Sequence, residues 1–231
     1  MNLLNPFRYI PELPEPDYGW DWESGVTKNA SNEVSQWDSY TTPTLSVSQA
    51  TSSQQPIENG DGILFDGDNN EELDNTSLPV GFEVKKPIFH CKFKYNETGD
   101  KFLFIARASN SNRFEVAYFD GTLQIWFNGT FSVVNYVTTL VTGTTYLVSC
   151  VPYLDGSDEK LAFYLDGVLV DNELNAFSTT TTPNYLAFGD YNDLDFSEGL
   201  FNIYYIKLTN NVDTYTLSEA NQIALNEYNY G

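Results

Sequence analysis

The sequence contains few basic residues. Only 11 Lys and Arg accompany 32 Asp and Glu among its 231 residues, which gives a formal net charge of -21 at pH 7. A field of this sign repels phosphate backbones and anionic lipid headgroups. No apolar run is long enough for a membrane span. We therefore expect no nucleic-acid partner and no membrane insertion, and we attribute the charge to solubility.

Histidine and cysteine are also scarce, which limits the available chemistry. One histidine (His90) and two separated cysteines (Cys91 and Cys150) cannot complete a closed zinc site. Strand parity places His90 with lysines, away from the apolar side chains, so we expect a surface imidazole rather than a catalytic base. The apolar neighbours of the cysteines favour free buried thiols, and a bridge between them remains open. We predict no cofactor, no metal and no catalytic residue.

Apolar residues are abundant and alternate along short segments. Phe89, Cys91, Phe93 and Tyr95 fall on one face of the segment PIFHCKFKY, which indicates a strand. The segments KFLFIARA, NRFEVAYF, TLQIWFN, FSVVNYV, KLAFYLDGVLV and GLFNIYYIKLT follow the same pattern. The pattern predicts an all-β fold of two antiparallel sheets packed as a sandwich.

Two Gly-containing dipeptides mark hairpins between these strands. Asn128-Gly129 and Asp166-Gly167 interrupt alternating runs, and both fit type I′ turns, which need positive φ at two positions. Near the end of the chain, LSEANQIALNEY predicts one short helix. We expect Ser218 as its cap and Leu217, Ile223 and Leu225 as its apolar stripe.

Residues 1–17 differ from the rest and form a predicted arm, whereas residues 18–231 form the predicted domain. Four prolines disfavour a helix or an interior strand, yet the arm is too apolar for a solvated tail. We expect its apolar side chains to dock on another subunit; packing on its own domain is the alternative. These side chains are Leu3, Leu4, Phe7, Tyr9 and Ile10.

The order of several segments resembles a known fold family. WDWES, NEVSQWD and GILFDGDN, then TYLVSCVPYLDGSDEKLAFYLDGVLV, and finally NYLAFGDYN and LSEANQIALNEY resemble a concanavalin A-like, laminin-G-like jelly roll. The resemblance covers residues 18–231. It implies a two-sheet sandwich with a short C-terminal helix, a fold that hosts lectins, glycosidases and structural modules.

The start MNLLNPFRY is similar to the opening of many tailed-phage structural proteins. That resemblance implies a virion surface protein, a capsid decoration or a head or tail fibre component. Its partners would be capsid or tail proteins, and it would form a homo-oligomer or a symmetric array. Localisation would be the virion, assembled in the host cytoplasm.

A glycoside hydrolase of this fold is a weaker alternative, because it needs two carboxylates that flank the scissile bond. The nearest acidic stretch, Asp193, Asp195 and Glu198, departs from the family's Glu-x-Asp-x-x-Glu pattern and lies in a polar loop. The segment Glu71, Glu72, Leu73, Asp74 lacks a third acid. We therefore expect no enzyme activity.

The sequence offers many candidate oxygen ligands for calcium, among them Asp66, Asp68, Asn69 and Asn70. The position that resembles the calcium aspartate of laminin-G modules falls in Ser109–Arg113, which holds no acid. We therefore assign no metal site.

Host glycans are the further expected partner. Exposed aromatic side chains stack on sugars, and the aromatic candidates are Trp126, Tyr118, Tyr191 and Tyr204. Tyr191 stands beside Asp190 and Asn192 in a predicted loop, so we select these three residues as the candidate glycan contact. An adhesion module of a cell surface is the alternative to the virion protein.

Overall fold

A computed structural model describes residues 14–66, 71–97, 99–109, 112–119, 121–127, 130–171, 182–189, 200–210 and 215–231. Within these ranges the chain forms two antiparallel sheets, a short 3-10 turn at Ser52–Gln54 and the α-helix α1 (Leu217–Tyr230). The strands are, in chain order, β1 (Tyr18–Asp21), β2 (Val26–Lys28), β3 (Val34–Asp38), β4 (Ser46–Ser48), β5 (Ile57–Glu58), β6 (Ile63–Phe65), β7 (Glu72–Asn75), β8 (Ile88–Tyr95), β9 (Lys101–Ser109), β10 (Asn112–Phe119), β11 (Thr122–Phe127), β12 (Thr130–Val137), β13 (Thr144–Asp155), β14 (Asp158–Leu165), β15 (Val168–Asp171), β16 (Tyr185–Gly189) and β17 (Phe201–Thr209).

One sheet has eight strands and the other nine. The eight-stranded sheet runs in the order β15-β14-β13-β8-β17-β6-β5, and β1 lies beside β17 as its eighth strand. The nine-stranded sheet runs in the order β12-β11-β10-β9-β16-β7-β4-β3-β2. Strands distant in sequence are thus neighbours in both sheets. The predicted all-β, two-sheet antiparallel sandwich with a short C-terminal helix is confirmed.

The inner faces of the two sheets enclose a core rich in aromatic rings. Phe89, Cys91, Phe93 and Tyr95 all lie in this core, which confirms the predicted parity of β8. Phe188 of the nine-stranded sheet meets Trp20 of the other sheet edge to face, with ring centroids 4.9 Å apart. Such contacts add stability beyond the apolar area that they bury.

The hairpin between β14 and β15 follows the predicted turn. Leu165 pairs with Val168, and the two intervening residues, Asp166 and Gly167, have φ values of 51° and 73°. Positive φ at both positions is the requirement of a type I′ turn, which Asp and Gly tolerate best. Asn128-Gly129 lies outside the described residues.

The N-cap of helix α1 lies two residues before the predicted cap. Thr216 is the N-cap, and its hydroxyl accepts from the Glu219 N–H while the Glu219 side chain accepts from the Thr216 N–H. Because Thr216 and Glu219 satisfy each other's backbone donors, Ser218 falls inside the first turn and the predicted cap is wrong. Leu225 is 43% exposed, so its predicted place in the apolar stripe is also wrong.

The helix covers part of the outer face of the eight-stranded sheet. Its buried residues Ala220, Ile223 and Ala224 pack with Val151 and Tyr164 of that sheet. The small residues let the helix approach the sheet closely. This layer makes the two outer faces of the sandwich different. No helix of the described residues is long and apolar enough to cross a membrane.

The first strand contacts both sheets. The Trp20 indole N–H donates to the Leu45 carbonyl oxygen at 3.1 Å, and the Trp37 indole N–H donates to the Asp21 carbonyl oxygen at 3.0 Å. Just before the strand, the Asp17 carboxylate accepts from the Asn210 N–H at 2.6 Å. The beginning of the domain is therefore joined to the rest by buried and exposed hydrogen bonds.

Candidate functional site

Most residues selected from the sequence lie outside the described residues. These are the arm residues Leu3, Leu4, Phe7, Tyr9 and Ile10, the loop residues Asp190, Tyr191 and Asn192, and the acidic residues Asp193, Asp195 and Glu198. Their roles and the boundary at residue 17 stay predictions. The described residues contain a different candidate site. It is found from the three aromatic candidates that the structure does describe.

The remaining aromatic candidates occupy three different environments. Tyr118 is buried in the core, where its ring meets Tyr95 edge to face at 5.4 Å. The Tyr204 hydroxyl donates to an Asp61 carboxylate oxygen at 2.7 Å. Trp126 lies on the outer face of the nine-stranded sheet, half-buried among charged side chains. Of the three, we take Trp126 as the starting point of the candidate site, because a guanidinium group lies over its ring.

His90 is buried, so the predicted surface imidazole is wrong. It is 4% exposed, and its Nδ1 lies 2.8 Å from the Ser149 hydroxyl of the neighbouring strand. Burial lowers the pKa of His90 to about 4, against the opposing effect of Glu227. The parity of His90 was right, but helix α1 covers this side of the sheet. The neutral imidazole is a hydrogen-bonded structural group.

Charged side chains on the outer face of the eight-stranded sheet are paired with groups of the same chain. The Lys207 ammonium lies 2.8 Å from the buried Glu227 carboxylate of helix α1 and 4.9 Å from the centroid of the Tyr205 ring. Cys91 and Cys150 are both buried and unbridged on the core side of this sheet. Burial raises the pKa of Cys91 beyond the physiological range, so this thiol is inert.

The outer face of the nine-stranded sheet carries a row of stacked side chains, Trp126, Arg113, Arg107 and Tyr185, from four adjacent strands. The Arg113 guanidinium lies 4.4 Å from the Trp126 ring centroid, and the Arg107 guanidinium lies 4.7 Å from the Tyr185 ring centroid. Arg113 and Arg107 are direct cross-strand partners, as are Arg107 and Tyr185. We call this set the arginine–aromatic row.

Glu115 lies within the arginine–aromatic row, as the cross-strand partner of Trp126. One of its oxygens lies 3.0 Å from the Nε of Arg113, and the side chains are 4% and 12% exposed. The geometry is an ion pair without a hydrogen bond, because neither the Arg113 Nε nor this Glu115 oxygen has a hydrogen-bond partner. Burial raises the pKa of Glu115 to about 7, although Arg113 and Arg107 both oppose the shift.

Apolar side chains form the floor beside this charged group. Phe102, Ile105, Ala117 and Ala187 are buried together on the outer side of the nine-stranded sheet, separate from the main core. An apolar floor excludes water and strengthens the electrostatic interactions above it.

The other end of the row contains an acid that meets Tyr185. The Tyr185 hydroxyl donates to Glu72 at 2.8 Å, and the carboxyl of Glu72 is buried. Burial and the nearby Glu72 raise the pKa of Tyr185, so its hydroxyl remains protonated. Asp74 lies on the same strand face, and burial raises its pKa. Among the described residues, no group of three His, Cys, Asp or Glu side chains is placed to hold a metal ion.

Sequence reasoning selected Trp126 but missed Arg107, Arg113, Glu115 and Tyr185. A local signal existed, since Arg113 and Glu115 alternate on one strand face, as do Gln124 and Trp126. The grouping itself depends on β10 lying between β9 and β11 and on β16 joining β9. That arrangement could not be deduced from local alternation.

Comparisons with known proteins support the fold and leave the family open. No family model matches the chain, and no curated protein matches it. Among solved structures, the Botulinum neurotoxin type G receptor binding domain has a TM-score of 0.61 at 9% sequence identity, with 94% of this chain and 51% of that chain covered.

Two further solved structures have the same fold. Trypanosoma rangeli sialidase in complex with sialic acid matches with a TM-score of 0.57 at 12% identity, over 93% of this chain and 34% of that chain. Domain 4 of AbnA, a GH43 extracellular arabinanase from Geobacillus stearothermophilus, in complex with arabinotriose, matches with a TM-score of 0.55 at 14% identity, over 92% of this chain and 100% of that domain. The chain thus spans about half of the first of these proteins and about a third of the second.

Proposed function

We propose that this protein is a non-enzymatic adhesion module that binds a glycan on the outer face of its nine-stranded sheet. We propose further that its N-terminal arm attaches it to a phage virion. The observation that carries glycan binding is the adjacent donor and acceptor on that face, Arg113 Nε and a Glu115 oxygen. Both atoms lack a hydrogen-bond partner beside the half-buried Trp126.

A sugar has the chemistry that this arrangement would satisfy. Neighbouring hydroxyl groups of a pyranose can donate to Glu115 and accept from Arg113, which are 3.0 Å apart. The C–H face of the ring can pack on the half-buried ring of Trp126. Both atoms are buried, so a ligand that pairs with them has to displace the side chains that cover them, and it then relieves the cost of the missing hydrogen bonds.

Similar solved structures add support of a general kind. Domain 4 of the arabinanase, matched over its whole length, was solved with arabinotriose, and the sialidase was solved with sialic acid. These sugars are ligands of those proteins. They show that proteins with this fold occur among carbohydrate-binding and carbohydrate-processing proteins, in agreement with the proposed ligand class.

A glycan array tests this proposal with the full chain and matched variants. We expect wild-type protein to bind at least one glycan and Trp126→Ala and Glu115→Gln to bind it at least about tenfold more weakly, the factor that corresponds to one lost charge-assisted hydrogen bond. Tyr204→Phe is the control for Tyr185→Phe, because each removes a hydroxyl that donates to an acid, at 2.7 Å and 2.8 Å respectively.

We expect Tyr185→Phe to weaken binding and Tyr204→Phe to leave it unchanged. Wild-type binding that survives Trp126→Ala and Glu115→Gln would place the glycan elsewhere on the molecule. Absence of binding to every glycan would refute the adhesion function.

Attachment to the virion rests on the sequence of the arm and is tested separately. Deletion of residues 1–13 keeps the Asp17 hydrogen bond to Asn210 and should leave the sandwich folded. We expect the truncated protein to bind glycan normally but to be lost from purified particles. Normal incorporation of the truncated protein into particles would contradict this role of the arm.

A further inference from the structure

We infer that the apolar arm, residues 1–13, packs on the exposed side of helix α1 of its own chain as long as the protein is free. The surface that receives it is the helix patch, which we define as Val168, Leu225 and Tyr228. The inference goes beyond glycan binding and beyond attachment to a virion, and it depends on neither proposal. Attachment to a particle would exchange the helix patch for another apolar partner of the arm.

The three residues of the helix patch are exposed and lie together. Val168 is 64% exposed, Tyr228 is 52% exposed and Leu225 is 43% exposed. The hairpin turn at Gly167 joins them, because a Cβ added at Gly167 would lie 3.1 Å from the Tyr228 Cβ and 3.5 Å from the Leu225 Cδ1. A contiguous group of large apolar side chains at the surface of a protein with a net charge of -21 marks a contact surface.

The described chain begins close to the helix patch. Glu15 and Tyr40 line the same cleft, which has a volume of about 690 Å³. Burial raises the pKa of Tyr40 to about 12, and the carboxylates of Glu227, Asp21 and Glu15 add to the shift. Such charges act over about 10 Å or less. Tyr40 is therefore near both the point where the arm leaves the domain and the last turn of helix α1, where Tyr228 follows Glu227.

The length of the arm is sufficient for it to reach the helix patch. A chain as long as residues 1–13 spans up to about 40 Å when it is extended. Helix α1 has 14 residues and is about 21 Å long. A short tether gives the arm an effective concentration on its own domain in the millimolar range, so at lower protein concentrations the same chain is favoured over a second copy.

The composition of the arm matches the helix patch in two respects. Its apolar side chains would remove exposed apolar surface from water together with those of the patch. Its one cation, Arg8, would complement the C-terminal end of helix α1, whose last turn contains no basic residue. Pro6 and Pro11 restrict the backbone and so reduce the entropy that the arm loses when it binds. The apolar side chains concerned are Leu3, Leu4, Phe7, Tyr9 and Ile10.

Trypsin cleavage of the full chain tests the inference, because Arg8 is the first basic residue and Lys28 is the next. Mass spectrometry measures the release of residues 1–8, and the rate follows the fraction of molecules whose arm is undocked. A synthetic peptide of residues 1–16 gives the rate for an arm without a domain. We expect the full chain to be cleaved at least about tenfold more slowly than the peptide, since burial of two or three apolar side chains exceeds that factor.

Variants assign the protection to the helix patch. We expect the double variant Leu225→Ser, Tyr228→Ser to be cleaved at nearly the rate of the peptide. The control is Val137→Ser, which changes an 81% exposed valine of the nine-stranded sheet and should leave the protection unchanged. An unchanged circular dichroism spectrum shows that each variant is folded.

Three results would overturn the inference. Cleavage of the wild-type chain as fast as that of the peptide would show that the arm is not docked. Protection that survives in the double variant would place the arm elsewhere on the molecule. Cleavage that becomes faster on hundredfold dilution, together with a dimer in light scattering, would assign the arm to the helix patch of a second copy. All three results leave the glycan array and the particle assay to decide the proposed function.

Discussion

The two outer faces of the sandwich differ in whether their buried charged side chains are fully hydrogen-bonded. On the eight-stranded sheet, helix α1 covers the face, and Glu227 has a direct partner in Lys207. On the nine-stranded sheet, Glu115 and Arg113 are also buried, but one polar atom of each lacks a hydrogen-bond partner. Among the described residues, the buried carboxylate on the covered face is thus fully paired, whereas on the other face Arg113 and Glu115 each retain one buried polar atom without a hydrogen bond.

This difference lies in how the two faces of one fold satisfy their buried polar groups. Buried polar groups that are fully paired contribute to a unique native structure, and buried groups that lack a partner are costly. The alternation of the strands is the same on both sheets. The faces differ for two reasons. Helix α1 covers the eight-stranded sheet, and the pairing of β9 with β10 and β16 brings the arginines together on the nine-stranded sheet.

The largest expected effect concerns the ion pair on the covered face. Lys207→Met leaves Glu227 buried without its cation, so we expect the free energy of unfolding to fall by about 3 kcal/mol. Urea denaturation measures this change as a lower midpoint at an unchanged slope. Lys28→Met, which breaks the more exposed pair with Glu58, is the control and should cost less than about 1 kcal/mol.

Adding Glu227→Gln to Lys207→Met removes the uncompensated charge and should restore much of the lost stability. A loss of stability from Lys28→Met as large as that from Lys207→Met would contradict the distinction between the two pairs.

The next effect is a pair of opposite pH dependences. The folded pKa of His90, about 4, lies below its unfolded value of 6.5, so its contribution to stability is present above pH 6.5 and is lost as pH falls to 4. The folded pKa of Glu115, about 7, lies above its unfolded value of 4.5, so its contribution is present below pH 4.5 and is lost as pH rises to 7. Each shift corresponds to about 3 kcal/mol.

Between pH 4.5 and 6.5 these two contributions oppose each other in the wild type. We expect the stability of His90→Gln to fall with rising pH relative to wild type, and that of Glu115→Gln to rise. Chemical denaturation at a series of pH values measures both slopes. Slopes of the same sign in the two variants would show that one of the groups is not buried as described.

The smallest effect tests the helix that covers the eight-stranded sheet. Thr216→Ala removes the N-cap hydroxyl and should lower the free energy of unfolding by about 1 kcal/mol. Ser218→Ala changes the residue that the sequence favoured as cap, and we expect a change below about 0.5 kcal/mol. Thermal denaturation of the two variants compares them directly, and a larger loss from Ser218→Ala would contradict the observed helix start.

Local patterns in the sequence were sufficient for the strands and for the hairpin at Asp166-Gly167, because alternation and turn geometry depend on adjacent residues. The burial of His90 was not predictable in this way, since it depends on a helix that starts at Leu217 and packs on the outer face of the sheet that contains β8. The same limit applies to Arg107, Arg113 and Tyr185, which cross-strand pairing brings together. The fold was therefore more accessible from sequence than the candidate site.

The hydrogen bonds around the first strand have a mechanical consequence. A pull on the N-terminal arm would reach the domain at Asp17, which is bonded to Asn210, and would then load β1. Because the indole of Trp20 is bonded to Leu45 and that of Trp37 to Asp21, the tension would be shared between the two sheets rather than peel one edge strand away. Such load sharing opposes the detachment of β1 under tension.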